Sequence, residues 1–287
     1  MVQNISVIGS GIMGRGIAYN CAIYGYNVTL HDLDKSALAN AQHSIETLAL
    51  ESLEKGYITR VQKNLLFENV HYINNLETAV IHADLVIEAI IEKMDEKIDL
   101  FRKLDSICPE KTILATNTSS LSPTEIAAQT ARPDQVIAMH FFNPVHKMKL
   151  IEIIRGLETS DETVQIIKKV ASNIQKESIE VTEFPGFVTS RMNVLIGNEA
   201  MNMLMEGVAS AEDIDKAVKL GLNHPMGPLE LGDLVGLDTR LRTLEYLHKT
   251  LGEKYRPSPL LVKYVKAGRL GRKSGHGIYE YNKEVRT

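Results

Sequence analysis

From Ile5 to Thr182 the chain alternates short β-branched and aliphatic runs with stretches whose apolar positions recur at helical spacing. The runs Ile5–Ile8, Val28–His31, His71–Asn74, Leu85–Ile90, Thr112–Thr116, Val136–His140, Lys149–Ile154 and Ser178–Thr182 predict strands. Several are continuously apolar, as expected of parallel strands covered on both faces. Alternation of this kind predicts a doubly wound α/β sheet. One interval breaks the rhythm. Between Asp34 and about Asn69 runs a helix-compatible stretch far longer than an ordinary crossover, divided by Gly56. It predicts two helices projecting from the sheet as an arm, over about residues 35–69.

The pattern changes after Val181. Phe184-Pro185-Gly186-Phe187 is a turn or hinge signal. Beyond it the apolar spacing predicts helices at Val188–Met205, Ala211–Leu220, Leu229–Leu251 and Pro259–Ala267, and Ser210 with Asp213 makes a capping box for the second. The expectation is an α/β domain over 1–183 and an all-helical domain over 184–287. A length of 287 residues suits two domains.

The composition narrows the partners. Hydrophobic residues at 44% and charged residues at 24% are ordinary for a globular chain, and a net charge of −4 argues against nucleic acid or an anionic membrane. No stretch approaches the ~18 apolar residues of a membrane helix, and the N-terminus lacks a signal-peptide pattern. Cys21 and Cys108 lie far apart with no metal-ligand spacing, so they read as reduced core thiols in a cytoplasmic protein.

The first strand runs into Gly9-Ser-Gly11-Ile-Met-Gly14, a G-x-G-x-x-G turn in the required strand–turn–helix setting. Gly9 permits the tight turn, Gly11 lets the backbone approach a pyrophosphate, and Gly14 lets helix and strand sit close. The helix start then offers unpaired N–H groups to the phosphates. These features make the α/β domain a Rossmann-type one. The second strand ends in Asp32, 18 residues past Gly14, where a carboxylate accepts the ribose hydroxyls of NAD and repels a 2′-phosphate. Lys35 weakens that preference for NAD over NADP, and Asp34 reads as a helix cap. Nothing in the second domain resembles a flavin site.

Oxidation of an alcohol needs a base for its proton. His140 ends the strand Val136–His140 at the edge where such sheets place ligands. A lone histidine there is more often structural than catalytic. Glu152 changes the balance, because a half-buried acid in the apolar run Lys149–Ile154 needs a partner. A turn at Asn143-Pro144 brings the two strand ends together, so that Glu152 can set the imidazole tautomer; a buried ion pair without chemistry is the alternative. Thr116-Asn117-Thr118-Ser119-Ser120 reads either as turn and cap chemistry or as donors beside cofactor and substrate.

The segments VIGSGIMGRGIA, IEAIIEKMDEK, ATNTSSL, MHFFNPVHKMKLIEI, FPGFV, NHPMGP, LVGLD and GRKSGHGIYEY resemble the 3-hydroxyacyl-CoA dehydrogenase family along essentially the whole chain, most closely its short bacterial 3-hydroxybutyryl-CoA members. The resemblance implies that His140 is the general base and Glu152 its partner, with Ser119 and Asn143 positioning substrate and His140. It implies cofactor contacts from Gly9, Gly11, Met13, Gly14, Asp32, Glu92, Lys97 and Asn117, and a CoA contact from Lys55 in the arm. It also implies an acyl-CoA substrate, no metal, and a homodimer made by the helical domain, which closes over the acyl group. One departure stands out. The family reads Gly-Phe-x-x-Asn-Arg where this chain has Gly186-Phe187-Val188-Thr189-Ser190-Arg191, so the substrate-orienting amide is replaced by Ser190, a shorter side chain with a single polar group. Asn193, one turn on, is a partial substitute. His146 reads as a surface histidine. Rival readings are a dehydrogenase of free hydroxy or sugar acids, one for longer or dicarboxylic 3-hydroxyacyl-CoAs, and a weakly catalytic NAD-binding scaffold.

Overall fold

The computed structural model describes residues 2–281. The chain divides into two compact units between Phe184 and Pro185. In the first, the elements run β1 (Asn4–Ile8), α1 (Ile12–Ala22), β2 (Asn27–His31), α2 (Lys35–Glu54), α3 (Arg60–Asn69), β3 (Val70–Ile73), α4 (Leu76–Val80), β4 (Leu85–Glu88), α5 (Met94–Ile107), β5 (Ile113–Thr116), α6 (Pro123–Ala127), β6 (Val136–Phe141), β7 (Leu150–Arg155), α7 (Asp161–Asn173) and β8 (Glu177–Thr182). The strands form one sheet in the order β3-β2-β1-β4-β5-β6-β7-β8. Neighbours are parallel throughout except at the β6–β7 hairpin, which reverses the last two strands.

The runs that form β1, β4, β5, β6 and β7 are buried because helices cover both faces of this sheet, while the edge strand β8 is largely exposed. Val7, Val28, Leu30, Leu85 and Ile87 join α1, α2 and α7 in one core. Ile8, Val86, Leu114 and Val136 join α4, α5 and α6 in the other. Burial of about 25 cal/mol per Å² of apolar surface on both sides holds the parallel strands together.

The long interval after Asp34 folds as two helices, α2 and α3, with Gly56 at φ +71° between them. They do not stand clear of the domain. Leu38, Ala41, Ile45, Ala49 and Leu66 form a buried stripe that packs the pair along α1. The i, i+3/i+4 spacing of that stripe anchors the arm along its length.

In the second unit α8 (Thr189–Met205), α9 (Ala211–Gly221), α10 (Pro228–Val235), α11 (Leu237–Leu251) and α12 (Pro259–Lys266) pack around Val194, Met201, Leu229, Leu237 and Leu244. The helix predicted over Leu229–Leu251 is two helices. Gly236 takes φ +103°, a conformation closed to a continuing right-handed helix, while the apolar spacing runs through the break undisturbed. Ser210 caps α9 through the Asp213 N–H at 3.1 Å, and its hydroxyl donates to the Asp213 carboxylate. Between α12 and Tyr281 the chain makes one 3₁₀ turn, Arg272–Ser274, and two isolated bridges, Gly271 to His276 and His276 to Glu280, rather than a further α-helix.

Candidate functional site

The registers bring the C-terminal ends of β1, β2, β4, β5 and β6 to one edge of the sheet. There Gly9 turns the chain at φ +104°, donating its N–H to the His31 carbonyl at 2.8 Å. A Cβ on Gly14 would lie 1.7 Å from the Gly9 carbonyl oxygen, so only glycine lets α1 start this close to the turn. Gly11 is different: a Cβ there would meet no protein atom within 4 Å. The space in front of α1 is open, and no side chain caps the first turn of this helix. Free N–H groups, a positive dipole end and open space fit a dinucleotide pyrophosphate.

Asp32 ends beside this turn. Its Oδ2 accepts the Ser10 N–H at 2.8 Å and the Ser10 hydroxyl at 2.7 Å, and its Oδ1 accepts the Asp34 N–H at 3.0 Å. Burial raises the Asp32 pKa, but these three bonds together outweigh it and leave the carboxylate below its usual range. An ionised acid held in place suits a ribose diol and repels a phosphate. Ser10, its anchor, was not singled out from the sequence. Asp34 caps α2 through the Ser36 N–H, Lys35 sits exposed in the first turn of α2, and Met13 is half-buried in that of α1.

Beneath the edge lies a buried ionic network. Glu88, wholly buried at the end of β4, accepts from the Thr116 hydroxyl at 2.6 Å, the Ile90 N–H at 2.7 Å and the Lys97 ammonium at 2.6 Å. Lys97 is only 1% exposed and also reaches Glu92 Oε2 at 3.2 Å. Glu92 in turn accepts the Thr118 hydroxyl at 2.6 Å, the Ser119 N–H at 2.9 Å and the Ser119 hydroxyl at 3.3 Å. Burial pushes the Glu92 pKa up; the Lys97 ammonium, then Thr118 and Ser119, more than reverse it. Lys97 thus lies behind Glu92 and holds it, rather than lining open space. Glu88 was missed, although a lone acid in an apolar strand is the signal that singled out Glu152.

His140 and Glu152 are cross-strand partners in the β6–β7 hairpin. The imidazole Nδ1 lies 2.7 Å from Glu152 Oε2, with the histidine side chain 9% exposed and the glutamate side chain fully buried. The Phe142 ring stands 4.5 Å from the imidazole, centroid to centroid. Asn117 ties the neighbouring strand ends together, its Oδ1 accepting the Phe141 N–H at 2.9 Å. Asn143 is exposed in the hairpin loop, joined to Pro144 by a cis peptide bond.

The remaining predicted residues are on other elements. Lys55 is exposed at the C-terminus of α2, 3.5 Å from Glu51. Ser190 is half-buried in the first turn of α8 in the second unit. Asn193 does not offer a free amide oxygen there, because Arg240 donates to its backbone carbonyl at 3.0 Å and to its Oδ1 at 3.2 Å. His146 is not a surface histidine: it is half-buried, edge-on to the Tyr19 ring at 6.2 Å, and burial, then Lys147 and Lys176, lowers its pKa. Burial pushes the Cys21 and Cys108 thiols up to about 12 and about 11, so both are inert at neutral pH. Among the described residues no group of three or more His, Cys, Asp or Glu side chains is placed to hold a metal ion, and no helix is long and apolar enough to cross a membrane.

A glycine turn that fits a dinucleotide and an ionised acid beside it, on the strand edge that also carries a buried histidine–carboxylate pair, place the chain among the NAD-linked oxidoreductases. The chain belongs to the 3-hydroxyacyl-CoA dehydrogenase family. Residues 4–184 match the family's NAD binding domain and residues 186–281 its C-terminal domain. It is 49% identical over 285 residues to the probable 3-hydroxybutyryl-CoA dehydrogenase of Bacillus subtilis, covering 99% of each chain. To the 3-hydroxybutyryl-CoA dehydrogenase of Clostridioides difficile it is 46% identical, covering 98% of this chain and all of the other. The crystal structure of (S)-3-hydroxybutyryl-CoA dehydrogenase from Ralstonia eutropha superposes with a TM-score of 0.94 at 40% identity, over 99% of this chain and all of that one. NAD is the cofactor of the matched N-terminal domain.

Proposed function

We propose that this dehydrogenase interconverts a short-chain L-3-hydroxyacyl-CoA, of the size of 3-hydroxybutyryl-CoA, and its 3-oxoacyl-CoA, with His140 as general base and acid. The observation that carries the reading is the 2.7 Å contact between His140 Nδ1 and the wholly buried Glu152 carboxylate. With Nδ1 committed to Glu152, exchange of the hydroxyl proton falls to Nε2. Glu152 fixes the tautomer and stabilises the imidazolium formed when the alcohol O–H bond breaks. Bound NAD would supply the hydride acceptor for C3 in the oxidative direction, and NADH the donor in the reverse one.

The turn Gly9–Gly14, the start of α1, Met13, Asp32 and Asn117 would hold that cofactor, with Glu92, set by Lys97, on its nicotinamide side. Ser119 is held by Glu92 and, with Asn143, would fix the reacting oxygen near His140. Lys55 would meet the CoA phosphates, which suits a chain whose net charge of −4 offers no general attraction for an anion. Ser190 would contact the acyl group. Binding energy from the CoA handle orients the small acyl portion. The second unit would form a homodimer contact, and the protein would work in the cytoplasm.

The test is NADH consumption with acetoacetyl-CoA, run beside His140→Ala and an NADPH control. Saturable turnover with NADH, lost in the variant, is expected. Turnover that survives His140→Ala would remove the histidine from the chemistry, and turnover only on free hydroxy or oxo acids, insensitive to added CoA, would remove the thioester.

A further inference from the structure

The loop between β6 and β7, residues 142–149, joins the His140 strand to the Glu152 strand and carries Asn143. Most of it is solvent-exposed, and such a loop is more mobile than the strands it joins. Two buried contacts oppose that. The side chain of Lys176, 9% exposed between α7 and β8, reaches back across the sheet edge and donates to the Val145 carbonyl at 2.6 Å and the Met148 carbonyl at 2.7 Å. The Val145 side chain, itself buried, sits against α1 at Gly16, where a Cβ would lie 3.0 Å from its Cγ2 and 3.1 Å from its Cβ. Gly16 thus leaves a notch in α1, and Val145 fills it.

These contacts join the two halves of the site. The N-terminus of α1 faces the pyrophosphate position, and Gly16 lies about one turn along the same rigid helix. The loop seated in that notch follows His140 directly. We propose that Lys176, Val145 and Gly16 form a buried clamp that registers the His140 hairpin against the dinucleotide helix, and so sets the distance between the proton-exchanging nitrogen and the hydride-exchanging cofactor. The three are positioning residues. They touch neither substrate nor cofactor and act through His140 and Asn143. The inference rests on His140 being the base. Hydride and proton transfer need both partners aligned at once, and a misplacement of about 1 Å costs on the order of 10²-fold in rate. Loosening the clamp therefore lowers kcat while leaving each binding step nearly intact.

The variants are Lys176→Met, which removes both carbonyl bonds, Lys176→Arg, which keeps a donor, Gly16→Ala, which crowds the notch, and the double variant Lys176→Met/Gly16→Ala. Each is assayed for kcat and KM with acetoacetyl-CoA and NADH, and for NADH dissociation by fluorescence. Lys176→Met is expected to lose about 10- to 100-fold in kcat with the NADH dissociation constant within about threefold, Lys176→Arg to recover most of it, and Gly16→Ala to lose about tenfold. The double variant should lose less than the product of the single losses, because both act on one device. Should Lys176→Met fail to fold, Gly16→Ala carries the test by the same split. Folded variants that keep kcat within twofold, that lose NADH binding in proportion to kcat, or that multiply independently would overturn the clamp. His140→Ala separates this from its premise: full activity there sinks the base assignment, whereas an inactive His140→Ala beside unimpaired clamp variants sinks the clamp alone.

Discussion

Glu152→Gln is the sharpest perturbation of the proposed relay, because it changes charge and little else. The glutamine oxygen can still accept from His140 Nδ1–H, and the side chain keeps its volume in a fully buried position. What disappears is the negative charge that faces the imidazolium. With charge centres about 4 Å apart and an effective dielectric near 20, that attraction is about 4 kcal/mol. In the reductive assay His140 gives up its proton and only part of the positive charge remains at the transition state, so relative to the neutral imidazole the expected loss is about 2 to 4 kcal/mol. At about 1.4 kcal/mol per tenfold, kcat falls by roughly 30- to 1000-fold. Because the charge acts on the imidazole and is not proposed to touch either ligand, KM for acetoacetyl-CoA and the affinity for NADH should change by less than about threefold. Stopped-flow or steady-state NADH absorbance gives kcat and KM, and thermal melting confirms that the variant folds. A folded Glu152→Gln enzyme with kcat within threefold of the unmutated protein would refute the charge argument. A loss confined to KM would move Glu152 from the chemistry to binding.

Four further outcomes follow from the same geometry. Asp32→Ala would remove the charged hydrogen bonds proposed to the ribose, worth about 1.5–3 kcal/mol each, so kcat/KM for NADH should drop at least tenfold and the NADPH-to-NADH ratio rise; an unchanged ratio in a two-cofactor assay would clear Asp32 of selectivity. The Glu92 pKa is depressed in the folded state, so its contribution to stability is present above the unfolded carboxylate value and is lost as pH falls below about 4; Tm should fall through that window, and Glu92→Gln should flatten the fall. Lys97→Met strands the wholly buried Glu88 beside Glu92, a loss of about 3–5 kcal/mol that urea denaturation would register, and a stability within 1 kcal/mol would show the network is not under strain of charge. Ser190→Asn restores the family amide and should raise kcat or shift the preferred acyl length; identical kcat and KM across C4 to C8 3-oxoacyl-CoAs would make the serine neutral.

What could be read in the sequence was whatever a local rule obliges. A lone acid in the run Leu-Ile-Glu-Ile-Ile must find a partner, and a turn at Asn143-Pro144 brings the two strand ends together; those two constraints make His140 and Glu152 neighbours, as the hairpin register has them. The same rule, applied to Glu88 in Leu-Val-Ile-Glu, calls for a buried cation. That cation was also visible, since Met94, Lys97, Phe101 and Leu104 follow the i+3/i+4 stripe by which α5 turns its buried face inward. A lysine on such a stripe reads as surface until an acid needs it. Other features obey no local rule. The break at Gly236 leaves the apolar spacing of α10 and α11 continuous, so only the backbone angle reveals it. Lys176 bonds carbonyls some thirty residues away, and carbonyls carry no side-chain identity to betray the partner. Hence the groups proposed to do the chemistry were legible through the cost of burying them, while those that hold them in register are legible only where the backbone they grip has been placed.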